Sequence, residues 1–154
     1  IECKQFGIHT AIETCGFAPW RSLKEISEYT DLFLYDLKAL DDKIHQEYTG
    51  VSNEIILDNI RKLSKHGCQI IIRVPLIPGV NDHPESLVEL GEFVSSLPHV
   101  YQLDLLPYHN SGIEKYKRLN RSYHLSDIQR ASQEHLDSLA EYLSAYGINV
   151  NAGE

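Results

Sequence analysis

Apolar residues recur along this chain in two rhythms. In the first they stand in short dense runs: Ile8 to Thr14, Asp31 to Lys38, Cys68 to Leu76 and Val100 to Leu106, each bounded by Gly, Pro or polar residues. Such runs, rich in branched and aromatic side chains, predict strands. In the second they are spaced by three and four, as in Leu23, Ile26 and Tyr29 or Thr30, then Ile56, Ile60 and Leu63, then Leu87, Leu90, Val94 and Leu97, and finally Ile128, Leu136, Leu139, Leu143 and Tyr146. That spacing puts each set on one stripe of a helix.

Boundary residues agree with this division. Ile1 to Phe6 reads as the last turn of a helix stopped by Gly7, Pro19-Trp20 and Pro84 open helices, and Asp41 to Tyr48 is a short helix ending near Gly50. Ser52 and Ser126 are candidate N-caps, Gly67 and Gly147 candidate stops, and Pro75 with Pro78-Gly79 closes the third run. Ile148 to Val150 completes the set as a short last strand. Strands alternating with helices predict an α/β fold with one parallel sheet and right-handed crossovers, in a single domain over residues 1–154. A closed eight-unit barrel takes about 250 residues, so the expected shape is a truncated parallel (β/α) barrel.

The second run carries the first chemical hint. It ends Tyr35-Asp36-Leu37-Lys38, and alternation along a strand sends Asp36 and Lys38 to one side and Tyr35 and Leu37 to the other. A carboxylate and an ammonium thus share the carboxyl end of a strand that should be buried on both faces, where parallel α/β folds place their sites. Arg73 lies inside the apolar third run, and its guanidinium needs a partner, either Asp36 or a ligand. Glu13 and Lys38 read, from the residues alone, as ordinary ion partners across neighbouring strand ends. After Pro107-Tyr108-His109 a polar segment to about Tyr123 is long for a connection, as functional loops are.

Composition narrows the functions. With 22 acidic against 14 basic residues and no Lys/Arg run, nothing favours nucleic acid, and no apolar run is long enough for a bilayer, so a cytoplasmic protein is expected. Cys3, Cys15 and Cys68 are too scattered for a disulfide framework or a clustered metal site. Of the eight histidines, the seven other than His109, His45 and His66 among them, show no metal-ligand pairing and read mostly as surface residues. The chain has no Met and begins at Ile1, which suggests a piece of a longer protein.

Five motifs then stand in order: Gly7-Ile8-His9-Thr10 with Glu13-Thr14-Cys15-Gly16; Tyr35-Asp36-Leu37-Lys38; Ile44-His45 with Tyr48-Thr49-Gly50-Val51-Ser52; Ile72-Arg73 with Pro78-Gly79-Val80-Asn81-Asp82; and Leu105-Leu106-Pro107-Tyr108-His109. Together they resemble the activating enzymes of glycyl-radical enzymes, in the radical S-adenosylmethionine (SAM) superfamily. The resemblance implies a six-stranded partial barrel of which the four long runs are the third to sixth strands. It further implies reductive cleavage of SAM at a [4Fe-4S] cluster, the 5′-deoxyadenosyl radical then taking a hydrogen from a backbone glycine of a partner such as pyruvate formate-lyase, with flavodoxin or ferredoxin as electron donor.

By the same resemblance Glu13 and Asp36 form a small-cation site beside SAM, and Leu37 and Lys38 of the D-L-K motif and Arg73 line the cofactor. Lys38 contacts the cofactor's carboxylate or the backbone of the substrate loop. His109 lies near the adenosine, and Gly112 with Lys115-Tyr116 helps shape the mouth. The family's C-x-x-x-C-x-x-C loop and Gly-Gly-Glu stretch are not in this sequence. The chain is therefore expected to be the carboxyl-terminal part of an activase, without the cluster ligands and inactive alone. Its first strand, left unpaired, is expected to drive self-association. Two other readings stay open: a radical SAM enzyme acting on a small molecule or peptide, and a non-catalytic half-barrel binding module.

Overall fold

The computed structural model describes residues 1–109, 112–120, 125 and 128–153. Its strands β1 (Ala11–Thr14), β2 (Leu32–Asp36), β3 (Ile70–Leu76), β4 (Val100–Pro107) and β5 (Val150–Ala152) form one all-parallel sheet in that spatial order. The helices are α1 (Glu2–Gln5), α2 (Trp20–Ser27), α3 (Asp42–Thr49), α4 (Glu54–Lys65), α5 (Pro84–Ser95), α6 (Gly112–Arg118) and α7 (Gln133–Ser144). Each parallel pairing needs a crossover, and each crossover carries at least one helix. The wall of a partial (β/α) barrel results, as the alternating pattern predicts.

Residue parity sorts the side chains. Phe33, Tyr35 and Leu37, Ile70, Ile72, Val74 and Leu76, and Leu103 and Leu105 are buried in one cluster with Ile56, Ile60 and Leu63 of α4, Leu87, Leu90 and Val94 of α5, and Leu136, Leu139 and Leu143 of α7. The alternate positions Leu34, Asp36, Ile71, Arg73, Gln102 and Asp104 are only half-buried. The expectation of burial on both faces of β2 is thus corrected: helices cover one face, and the other is a partly open concavity.

Several boundaries differ from the pattern, each for a local reason. β1 is shorter than Ile8–Thr14 because the Ile8 N–H is taken by the Cys3 carbonyl at 2.9 Å and the Thr10 N–H by Asp31 Oδ2 at 2.8 Å. The Asp31 carboxylate, held far below its usual range chiefly by the Lys4 ammonium, ties the two segments together. In α2 only Leu23 is buried, while Ile26 and Tyr29 are exposed. β3 runs through Pro75, although the β2–β3 register ends at Asp36 opposite Arg73, while the β3–β4 pairing continues to Leu76 opposite Pro107. Pro75 has no N–H for another rung toward β2. Asn53 rather than Ser52 precedes α4, the last helix starts after Ser132, whose hydroxyl accepts the His135 N–H, and Ser126 lies outside the described residues. The long loop after β4 contains a helix, α6, that no apolar periodicity announces.

β1 is an edge of the sheet among the described residues, and Ile1, Phe6, Ile8 and Phe17 along residues 1–17 are exposed. The turn after β1 is tight. Gly16 has φ +70° and lies against the Tyr35 ring, whose hydroxyl donates to the Ile56 carbonyl at 2.7 Å. Asn59 of α4 donates to the Gly16 and Ala18 carbonyls, both at 2.8 Å. Gly50 (φ +81°) by contrast has open space around it. Gly16→Ala is expected to cost about 2–4 kcal/mol, combining left-handed strain with a clash against Tyr35, and Gly50→Ala about 1 kcal/mol. Equilibrium denaturation of the two variants measures the difference.

Candidate functional site

Parallel register brings the sequence's charged residues to one edge. Glu13 is on β1 beside Leu34 of β2, Asp36 ends β2 and pairs with Arg73 of β3, and Lys38 follows two residues on. In-register neighbours point the same way, so Glu13, Asp36 and Arg73 all face the concavity. To reach Glu13 from β3, a side chain must span two strand spacings, roughly 10 Å. Arg is long enough.

Arg73 closes the arrangement. Its Nε donates to Asp36 Oδ1 at 2.8 Å, its Nη2 lies 2.7 Å from the same oxygen, and Nη2 also binds Glu13 Oε1. Lys38 Nζ donates to the other Asp36 oxygen at 2.9 Å. The Arg73 side chain is 18% exposed, Asp36 19% and Lys38 41%. Arg73 and Asp36 are therefore screened from water while the ammonium reaches it. The bond to Glu13, then that to Asp36, pushes the guanidinium pKa up, so Arg73 stays charged at any working pH.

The pairing that the residues alone suggested for Glu13 is corrected. Glu13 pairs with Arg73, not with Lys38, whose ammonium bonds to Asp36. Arg73's protein partner is Asp36, as read, and Glu13 in addition. Leu37 turns its side chain into the core and gives its N–H to the Arg73 carbonyl at 2.9 Å, leaving only its own carbonyl for a ligand. His109 is exposed two residues beyond β4, at the same carboxyl edge of the sheet. Its neighbour Tyr108 is buried, with its N–H on the Leu76 carbonyl at 3.1 Å and its hydroxyl on the Leu125 carbonyl at 2.8 Å. Lys115 and Tyr116 lie on α6 and are exposed.

Three residues the sequence did not assign also shape the edge. Asp104 pairs in register with Arg73 and accepts from Gln102 Nε2 at 2.6 Å, so it adds a third carboxylate to the concave face. The polar-apolar alternation of Gln102-Leu103-Asp104-Leu105 carried that signal. Buried Asn53 donates to the Ala39 and Leu40 carbonyls at 3.1 and 2.7 Å. Buried Asn81 donates to the Lys38 and Pro75 carbonyls at 3.0 and 2.8 Å and accepts the Ile77 N–H at 2.8 Å. A cavity of about 210 Å³ opens beside Lys38, walled in part by Ile44, Tyr48, Pro75, Ile77 and Val80.

His45 is a correction: it is buried, not at the surface, and its Nδ1 lies 2.8 Å from the Val51 carbonyl, which can only accept. It therefore fixes the Tyr48-Thr49-Gly50-Val51 turn. His66 is exposed, its ring edge-on to Trp20 at 5.1 Å.

Lys38 has two N–H donors beyond the one on Asp36, and Glu13 and Asp36 offer negative charge to a cationic group. Cys3 and Cys15 are exposed on α1 and after β1, and Cys68 is half-buried before β3, at the other end of the sheet. Among the described residues no group of three His, Cys, Asp or Glu could hold a metal ion.

Comparison with known proteins agrees. Residues 1–91 match the family model described as the radical SAM superfamily. The chain is 40% identical over 153 residues to the trans-4-hydroxy-L-proline dehydratase activating enzyme of Clostridioides difficile, covering 98% of this chain and 50% of that one. It is 40% identical over 152 residues to the choline trimethylamine-lyase activating enzyme of Oleidesulfovibrio alaskensis, covering 97% and 49%. The chain thus spans about half the length of these curated relatives. The crystal structure of a domain of pyruvate-formate lyase-activating enzyme from Bacteroides vulgatus superposes with a TM-score of 0.82 at 33% identity, over 99% of this chain and 86% of that one.

Two predictions follow from the site's electrostatics. Arg73→Met leaves the half-buried Asp36 with Lys38 alone and frees Glu13 to solvent, and it is expected to cost about 2–3 kcal/mol, less than breaking a fully buried pair because Glu13 is solvated. Adding Asp36→Asn should recover part of that loss in denaturant titrations. Asp42, at the start of α3, is held below its ordinary 3.8 chiefly by the Asn53 N–H, then by the Ser52 hydroxyl. A depressed carboxylate stabilises the fold above its unfolded pKa, and that contribution is lost as pH falls through the folded value. Asp42→Asn should therefore be less stable than the parent at pH 7, with the gap closing as the pH falls below about 4.

Proposed function

The chain belongs to the radical SAM superfamily, among its activating enzymes, and from that premise we propose that the whole protein activates a glycyl-radical enzyme by taking a hydrogen atom from one of its backbone glycines. SAM and a [4Fe-4S] cluster, when bound, supply the radical chemistry. The residues of this chain bind, orient and shield. The observation that carries the reading is the chain of contacts Glu13–Arg73–Asp36–Lys38 along the carboxyl ends of three parallel strands.

In this reading Lys38 gives its remaining N–H donors to the carboxylate of SAM or to a carbonyl of the incoming glycyl loop. Glu13 and Asp36 balance positive charge on the amino-acid moiety or on a small cation beside it, with Arg73 fixing both carboxylates. His109 borders the adenosine. The helix-covered face of the sheet keeps water from the far side of the site, and the α6 segment borders the entrance. A flavodoxin or ferredoxin supplies the electron. The chain's three cysteines do not converge, so the 154 residues alone are expected to be inactive. Among the described residues no helix is long and apolar enough to cross a membrane.

The test is anaerobic. The full-length protein, reconstituted with iron and sulfide and given SAM and a reductant, is expected to form 5′-deoxyadenosine and to raise a glycyl-radical signal in a co-encoded partner by electron paramagnetic resonance. Lys38→Ala should raise the KM for SAM about tenfold or more, the equivalent of one charge-assisted hydrogen bond of roughly 1.5–3 kcal/mol. An iron-loaded protein that forms no 5′-deoxyadenosine with any reductant overturns the proposal. One that forms it but modifies a small molecule or free peptide instead of a glycyl-radical enzyme overturns the assignment of partner.

A further inference from the structure

The backbone leaving β2 is held in an unusual way. Three consecutive carbonyls, those of Lys38, Ala39 and Leu40, all accept from side-chain amides, Asn81 taking the first and Asn53 the other two. The two amides come from different crossovers, Asn53 at the start of α4 and Asn81 from the loop before α5. Both are buried, and unpartnered buried amides would be costly, so the bonds made at these positions fix geometry strongly.

Asn81 has the more specific task. The β2–β3 ladder stops at the Leu37 N–H on the Arg73 carbonyl, since Pro75 has no N–H to continue it. Beyond that rung the Lys38 and Pro75 carbonyls lack a shared donor, and the two N–H groups of the Asn81 amide supply one to each, at 3.0 and 2.8 Å. Its Oδ1, accepting the Ile77 N–H at 2.8 Å, locks the amide's orientation. The amide serves as a replacement rung at the level of Lys38.

We infer that Asn81, assisted by Asn53, is a positioning residue for Lys38: it sets the Lys38 backbone, and through it where the ammonium presents its free donors at the mouth of the site. This rests on one arm of the proposal above, that Lys38 contacts the carboxylate of SAM. An Asp at position 81 would present lone pairs to two carbonyls, and an Ala would leave both unserved. Asn81→Ser keeps an acceptor near the Ile77 N–H but cannot bridge both carbonyls.

The experiment is a double-mutant cycle on the reconstituted full-length protein, read as SAM affinity by equilibrium binding, with thermal melts alongside. Variants are Lys38→Ala, Asn81→Ser and the pair, with Asn53→Ser and its pair with Lys38→Ala as a second cycle should the first not fold. Asn81→Ser is expected to weaken SAM binding about tenfold, as loss of an outer partner does for a metal ligand, and to have little further effect once Lys38 is Ala. An equal loss in both backgrounds would mean that Asn81 merely supports the fold, and it overturns the inference while leaving Lys38's role intact. If Lys38→Ala itself leaves SAM affinity unchanged, the underlying assignment of Lys38 fails, and the inference with it.

Discussion

The site depends on one guanidinium shared by two carboxylates. Arg73 lies on the third strand, Asp36 on the second and Glu13 on the first, so a single side chain ties three strand ends into one charged edge. Without it the half-buried Asp36 would retain only Lys38, and Glu13 would turn to solvent. The arrangement is possible because the sheet is parallel and in register: equivalent ends of all strands lie together, and Arg is the residue whose length and fork suit two acceptors at once. Arg73 and Asp36 are largely screened from water, while Glu13 and Lys38 at the two ends of the network reach it.

A second level of order lies in the loops. Tyr35 and Asn59 hold the turn after β1 from below, one by filling the space beside Gly16 and the other by serving its carbonyl and that of Ala18. His45 and Thr49 hold the turn after α3, the Thr49 hydroxyl lying 3.0 Å from the ring nitrogen. Asn53 and Asn81 hold the segment after β2. Apart from the exposed Thr49 these side chains are buried, and their bonds go mostly to backbone carbonyls. The functional side chains are thereby presented from loops whose conformation the core dictates.

Much of this was legible in the residues. The dense apolar runs located four strands, and Asp36 and Lys38 were placed on one side by alternation alone. The five ordered motifs pointed to the family that the comparisons then showed. The misreadings share a cause, because periodicity reports burial and says little about backbone bonding. Residues 8–10 look like strand, but their N–H groups serve a helix end and Asp31. Ile26 has helical spacing but is exposed. The tie between Glu13 and Arg73 joins residues sixty apart across an intervening strand, and nothing local in either segment encodes it. Asn81 stood within a recognised motif, yet its role depends on a missing proline N–H in another segment.

The parity of the sheet has an evolutionary consequence. Phe33 and Tyr35 of β2, the even-numbered residues of β3 and Leu103 and Leu105 of β4 pack under the helices, while their alternates face the concavity. Selection can therefore rewrite the inward set, exchanging an acid for an amide or a Leu for a Tyr, without disturbing the packing that keeps the chain folded. A lineage built on such a wall can diversify what it recognises far faster than it changes its shape.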